Sequence, residues 1–294
     1  MWSHDGTAIA YFRFVPSSDG PPGIYVISKW GGTPRLVTSG HYSDFRFSPN
    51  DRHLVAVSPD QQMVVIDVLS GQIGQKFYTD KLVGWPDWSP GGEEIVYLRG
   101  SPNAGEPPDS GGIHIFNLKT GADRALTAGG SLVSGIPRDW LPTGEIAIVS
   151  FDAARRQQLE VIDLARGNSR VLYVSRRTNT FWLLTWYSRL STAQWGILFT
   201  DNDSPPYGGN FLIRPDGGGL ARMTLGLAAL GNGHEAFSPD GEEWVHNGID
   251  PVDSLGVLFV SRVGDRSRAS VRQLTKYWAP PGPGAVVLLQ GGGR

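Results

Sequence analysis

No cysteine occurs among the 294 residues, which excludes disulfide staples, thiolate catalysis and Cys-ligated zinc. Nor is there an unbroken run of about eighteen apolar residues, the length a helix needs to cross a bilayer. Charge of one sign is missing too: 26 basic residues face 28 acidic ones, a net of −2. Without a cationic excess to release counterions, nucleic acid is not an expected partner. No G-x-S-x-G stretch marks a nucleophile elbow, so a hydrolase of the α/β type is not expected. The six histidines, at positions 4, 41, 53, 114, 234 and 246, form no H-x-x-x-H or comparable pair. The lack of cysteine fits either redox compartment and assigns neither.

Glycine (39) and proline (21) are plentiful and follow no collagen-like period. Many turns imply many short strands, and a hydrophobic content of 40% is enough for a core. The stretch EAFSPDGEEWVHNG, from Glu235, aligns with FRFSPNDRHLVAVS (Phe45), PDWSPGGEEIVYLR (Pro86) and RDWLPTGEIAIVS (Arg138). Anchored on the aromatic, the repeat falls at Trp2, Phe47, Trp88, Trp140, Trp186, Phe237 and Trp278, at spacings of 41 to 52 residues. Trp186 lacks the Pro and Gly, and Trp278 has Pro where Asp is usual. Each unit reads as four strands, A to D; in the third these are VGWPDW, EIVYLR, GIHIFNL and DRALT. Runs of β-branched and aromatic residues bounded by Gly, Pro, Asp and Ser carry that reading. In the turn, Pro presets φ, Asp or Asn caps its own backbone and Gly takes the positive φ. Four-stranded antiparallel units of this length stack radially into a β-propeller.

The W-S-P-D-G-like turn, the I-Y-V-like third strand (GIYVIS, GIHIFNL) and the terminal L-T (RLVT, ALT) resemble the TolB-type propellers, relatives of the WD-repeat proteins. The resemblance covers nearly the whole chain and is specific for fold rather than function. It implies a single all-β domain, 1–294, with repeats near 1–38, 39–79, 80–127, 128–174, 175–224 and 225–275, and 276–294 closing the ring. Twenty-five strands can be read, against twenty-four for six blades and twenty-eight for seven. A six-bladed β-propeller is therefore expected, its N- and C-terminal strands sharing one blade, with a seven-bladed fragment as the alternative.

Strand direction separates two faces. The A–B and C–D turns lie on one, and the B–C loops and D–A connectors on the other. Several B–C loops are long, such as RGSPNAGEPPDSGG and TDNDSPPYGG, and long loops on a rigid scaffold tend to carry function. The candidate binding residues on that face are His41, Tyr42, Arg177, His234 and Glu235 from D–A connectors, with Trp85 and Trp182 at the entry of A strands. Any one of them has an ordinary role open to it, as a solvated loop residue or as core packing. His41, His234 and Glu235 are types that can ligate a divalent ion. Some relatives, the oligogalacturonate lyases, hold manganese through histidines and a glutamine, but the His-x-His pair of that site is missing here. Pro205 and Pro206 break the alternation of Asp201, Asn202 and Asp203 that a calcium loop requires. No catalytic residue, metal or cofactor is assigned.

The expected function is a monomeric, non-enzymatic scaffold that binds a protein or peptide at the loop face and the mouth of the central channel. Two alternatives stand beside it: a propeller lyase or hydrolase with a site at the channel mouth, and a substrate gate detached from a longer serine peptidase. The resemblance implies a bacterial, periplasmic or extracytoplasmic setting if an export signal lies upstream of Met1, and a cytoplasmic one otherwise.

Overall fold

The computed structural model of the chain describes residues 1–14, 20–77, 83–100, 112–128, 131–132, 135–176, 184–191, 194–201, 209–223, 236–249, 256–262 and 271–275. Among these every regular element is a strand. The first sheet holds β1 (Ala8–Arg13), β2 (Gly23–Ser28) and β3 (Arg35–Ser39) in chain order. Five four-stranded antiparallel meanders follow, the blades of a propeller. They are β4 (Ser43–Phe47), β5 (His53–Val57), β6 (Met63–Asp67) and β7 (Ile73–Phe77), then β8 (Val83–Trp88), β9 (Glu94–Arg99), β10 (Gly112–Asn117) and β11 (Asp123–Ala125). After a two-stranded ribbon, β12 (Thr127–Ala128) and β13 (Ser131–Leu132), come β14 (Ile136–Trp140), β15 (Ile146–Phe151), β16 (Gln157–Asp163) and β17 (Asn168–Val174). The last two sheets are β18 (Leu184–Ser191), β19 (Gln194–Asp201), β20 (Gly209–Ile213), β21 (Ala221–Met223) and β22 (Ala236–Phe237), β23 (Glu243–Ile249), β24 (Gly256–Arg262), β25 (Arg272–Gln273). The first two strands read from the third repeat coincide with β8 and β9 and the third with β10 to within a residue, whereas the fourth, read as DRALT, stops at Ala125 in β11 and its Thr127 opens the ribbon β12–β13, which was not read.

In the first four sheets both faces are apolar, and each is buried only against a neighbour. Ala10, Phe12 and Ile24 of the first sheet pack on Phe45, Phe47 and Leu54 of the second, with Phe12 edge-on to Phe45 at 4.6 Å between ring centres. Val55 and Met63 meet Trp88 and Tyr97, Val96 and Ile113 meet Trp140 and Ile148, and Val149 and Leu159 meet Ile197 and Phe199. The other face of the first sheet, with Ile9, Tyr11 and Ile27, packs on Val245, Val260 and Leu274 of the last. Each such side chain contributes about 1.5–3 kcal/mol on burial. On the inner edge of the first sheet, Ser3 N donates to Ala8 O and Ala10 N to Met1 O, and Trp2 bridges to Ile9. At the fifth sheet the strand runs past Trp186 to Ser191, because no Pro or Gly interrupts it.

The repeated turn is a hydrogen-bond device. In the second, third and last sheets the serine carbonyl accepts the N–H three residues on. Its Oγ accepts a second N–H two residues later still: His53 to Ser48 at 3.0 Å, Glu94 to Ser89 at 2.9 Å, Glu243 to Ser238 at 2.9 Å. Gly92 and Gly241 supply the positive φ, +72° in both. In the second sheet Asp51 takes that conformation, φ +58°, and its carboxylate accepts the N–H groups of His4 (2.7 Å) and Asp5 (2.9 Å) from the first turn. A second tie joins the sheets β8–β11 and β14–β17, where buried Asp87 Oδ2 accepts the Trp140 N–H at 2.6 Å.

Two predictions follow from these bonds. Asp87→Ala leaves the buried Trp140 N–H without that acceptor, and should cost about 1–3 kcal/mol in urea unfolding. The C–D turns yield a pH dependence. The Ser70 N–H, then the Ser70 hydroxyl, hold Asp67 below its ordinary value of 3.8, and the Arg166 N–H does the same for Asp163. A carboxylate depressed on folding contributes stability that is complete above its unfolded value and is lost as pH falls through the folded one. Asn117 makes the same bond, to Thr120 N at 2.9 Å, with no charge to titrate. The double variant Asp67→Asn, Asp163→Asn should therefore melt like the parent at neutral pH and lose less Tm below about pH 4, as circular dichroism melts across that range would register.

Candidate functional site

The chain enters β4 and β8 from the D–A connectors and leaves β5 and β9 into the B–C loops, so these strand ends share the loop face. β4 lies beside β8, and β8 beside β14, the innermost strands of three consecutive blades. Each carries an irregularity at its loop-face end: the ladder slips between Ser43 and Phe45, between Gly84 and Asp87, and between Pro137 and Asp139. A bulge of this kind bends the strand and re-aims a side chain. In β8 it also accommodates Pro86, which has no N–H for the ladder.

Where the first two bulges adjoin there is a cavity of about 200 Å³. Ser43 and Asp44 form one wall, Gly84 and Trp85 the other, and Gln61 enters from the turn after β5, over apolar Val83 and Leu98. Asp44 Oδ2 accepts the Trp85 N–H at 3.2 Å across the two blades. Five non-glycine residues have positive φ among the described residues, and three line this cavity: Asp44 at +46°, Gln61 at +59° and Trp85 at +48°. Asp tolerates the left-handed region through local hydrogen bonds. For a residue as bulky as Trp it is a true outlier, costing on the order of 1 kcal/mol. Strain of this kind persists where the surroundings over-determine it, often at functional sites.

Of the residues singled out from sequence, Trp85 is half-buried and lines the cavity. His41 is exposed. Tyr42, 6% exposed, packs between the first and second sheets, its hydroxyl 3.3 Å from that of Thr38. Arg177, Trp182, His234 and Glu235 lie outside the described residues. Asp44, Ser43 and Gln61 were not read from sequence. The available signal was the broken two-residue alternation at SDF and GWPD, with Asp at a position where the backbone turns left-handed.

Other polar clusters serve the scaffold. A larger groove of about 620 Å³ on the turn face holds Arg166, Arg170 and Arg214, but each is paired. Arg170 donates to Glu145 at 2.7 Å and twice to Pro215 O, while Arg166 pairs with Asp163 at 2.9 Å and Arg214 with Asp216 at 3.3 Å. Asp201 accepts the Tyr173 hydroxyl at 2.8 Å. Among the described residues no three His, Cys, Asp or Glu converge as a metal ion would require, and no helix is long and apolar enough to cross a membrane. Arg13 is different. It is 5% exposed, and its Nε and Nη1 have no hydrogen-bond partner among the described residues; the guanidinium stacks over Tyr25 at 4.2 Å.

Solved structures share this architecture. TolB of Acinetobacter baumannii superposes with a TM-score of 0.65 at 17% identity, over 94% of this chain. The chain spans 65% of that protein's length. An oligogalacturonate lyase from Vibrio parahaemolyticus gives 0.57 at 10% identity, covering 96% of this chain and 78% of its own. A manganese complex of an oligogalacturonate lyase gives 0.54 at 15%, covering 89% and 72%. No protein-family model and no curated protein matches the sequence. At these identities the likeness defines the class: a β-propeller of the architecture seen in TolB and in these lyases.

A buried cation with donors left unmet among its described neighbours is costly, and an apolar replacement of similar volume is often neutral or stabilising. Arg13→Met, which keeps a sulfur–aromatic contact with Tyr25, should leave Tm unchanged or raise it. Removing one partner of a buried ion pair would instead cost about 3–5 kcal/mol, and thermal melts separate the two.

Proposed function

We propose that the protein is a non-enzymatic propeller scaffold that binds a protein or peptide segment on its loop face, about the inner ends of β4 and β8. The observation that carries this is the gathering of Asp44, Gln61 and Trp85, all in the left-handed region, around one cavity on the face that also bears the long loops. A cavity of about 200 Å³ is below the roughly 300–1,000 Å³ of sites for drug-sized ligands; it suits one side chain of a larger partner. In the same reading the propeller has six blades. The three-stranded first sheet, packed on both the second and the last, is the sixth, with Met1–Ser3 supplying part of its inner edge; residues 276–294, expected from sequence to close the ring, lie outside the described residues.

The lyases that share the fold support a second reading, an enzyme acting on an acidic saccharide with a divalent ion. Purified protein melted with chelator and with added Mn²⁺ discriminates: a Tm that rises with Mn²⁺, as binding linkage requires, favours the enzyme. For the scaffold reading, peptides selected against the protein from a random displayed library should protect the loop face from hydrogen exchange. Trp85→Ala should weaken them at least tenfold, about 1.4 kcal/mol. Peptides that map to the turn face, or bind Trp85→Ala undiminished, would overturn it.

A further inference from the structure

We propose that a cavity on the turn face, between the second and third sheets, binds a neutral hexose unit. The cavity measures about 360 Å³, within the roughly 300–1,000 Å³ of small-molecule sites. It lies on the face opposite Asp44 and Trp85 and is independent of the loop-face reading. Asn50 and His53 reach it from the turn between β4 and β5 and the start of β5, and Gly91 from the turn between β8 and β9. Val65 of β6, Gln75 of β7 and Leu118, just after β10, complete its walls. No Lys, Arg, Asp or Glu is in the lining.

The repeat itself marks this place. The turn position held by Asp5 in the first repeat and Asp240 in the last is Asn50 in the second and Gly91 in the third. Asp5 and Asp240 each accept the hydroxyl of the serine two residues before. Asn50 keeps that bond, from Ser48 at 2.8 Å, and takes the Arg52 N–H at 3.1 Å. Both fall on Oδ1, and the amide nitrogen, with two N–H groups to give, takes part in neither. Gly91 brings no side chain, and a Cβ built there would meet nothing within 4 Å. Both turns that border the cavity therefore lack the carboxylate, and one leaves open space where it would stand.

Gln75 is held the other way round. Its Nε2 donates to Leu118 O at 3.2 Å, which leaves the amide oxygen outside that bond and able to accept. The His53 imidazole, when neutral, adds one donor and one acceptor. A hexose matches this set. Each hydroxyl both donates and accepts, so the Asn50 N–H groups meet an oxygen and the Gln75 oxygen meets an O–H. The C–H face of the ring is apolar and fits against Val65 and Leu118, both half-buried. Competing ligands find less. A carboxylate or phosphate meets no Lys or Arg in the lining, and an ammonium meets no carboxylate, so neither gains a charge-assisted bond to an ionised partner. An aliphatic group would strip water from two amides and an imidazole and return no hydrogen bond.

Three substitutions dissect the site without dismantling the turns. Asn50→Asp keeps the oxygen that Ser48 and Arg52 use, as Asp240 does in its own turn, and removes the N–H donors. Gln75→Leu removes the amide oxygen of an exposed residue. Gly91→Leu puts bulk into the open space, and since Gly91 is not among the residues with positive φ, a side chain there is unstrained.

The experiment is saturation-transfer NMR on the whole chain, with thermal melts as the control for folding. The probes are the methyl glycosides of glucose, galactose and mannose, the charged sugars glucuronate and glucosamine, and cyclohexanol as a ring without the hydroxyl set. At least one methyl hexoside should bind with Kd on the order of millimolar, tenfold or more tighter than cyclohexanol, and neither charged sugar should bind more tightly. At unchanged Tm, Gly91→Leu should weaken that hexoside tenfold or more, and Asn50→Asp and Gln75→Leu about threefold or more each, the worth of one neutral hydrogen bond. A variant that lowers Tm is set aside and the others decide. Trp85→Ala, on the other face, should bind the hexoside as the parent does. No hexoside binding, equal binding of cyclohexanol, tighter binding of glucuronate or glucosamine, or undiminished binding by a folded Gly91→Leu, Asn50→Asp or Gln75→Leu would overturn the assignment. So would loss of the hexoside in Trp85→Ala, which would move it to the loop face.

Discussion

A four-stranded antiparallel sheet that is apolar on both faces has nowhere to put either face alone. That constraint governs the molecule. Phe12 needs Phe45, Trp88 and Tyr97 need Val55 and Met63, and Trp140 needs Val96. Each blade is the solvent-excluding wall of the next, and the repeat in the sequence is the outcome of that mutual requirement. The serine turn then fixes where each strand pair reverses, satisfying two N–H groups with one residue. Ties such as Asp51 to His4 and Asp5, Asp87 to Trp140, and Arg170 to Pro215 hold neighbouring blades in register.

Much of this was legible in the chain because strand patterning and turn chemistry are local. VGWPDW and EIVYLR could be bounded to the residue, since Pro and Gly stand at their ends. The WYSRL segment misled for the same local reason: with no turn-forming residue after Trp186, the strand simply continued. The short ribbon β12–β13 carries no pattern long enough to read.

The site was less legible, for a physical reason. Trp85 could be picked out as an aromatic at a strand entry, but its partner Asp44 comes from another blade, 41 residues away. Nothing in either segment announces that the two bulges will adjoin. Tyr42, chosen because it sits in a connector, is spent on packing between two sheets, and burial of that kind depends on neighbours the connector does not contain. Asp87 makes the same point for stability, as a polar residue in a strand core whose value lies in a main-chain group more than 50 residues on. Contacts between blades are the part of the fold that a one-dimensional reading recovers last.

The seam between the first and last sheets differs in kind from the other joints. From the first sheet to the fifth, each packs on the one that follows it along the chain, so those joints can form by short steps. Trp2 and Ile9 meeting Val260 and Leu274 bring together opposite ends of the sequence. Closing such a loop costs entropy that grows only slowly with length, yet the contact is as non-local as the chain allows, and non-local contacts slow folding. The propeller thus has one joint whose formation sets its own tempo, and until it forms the two flanking sheets each present an apolar face to whatever else is near.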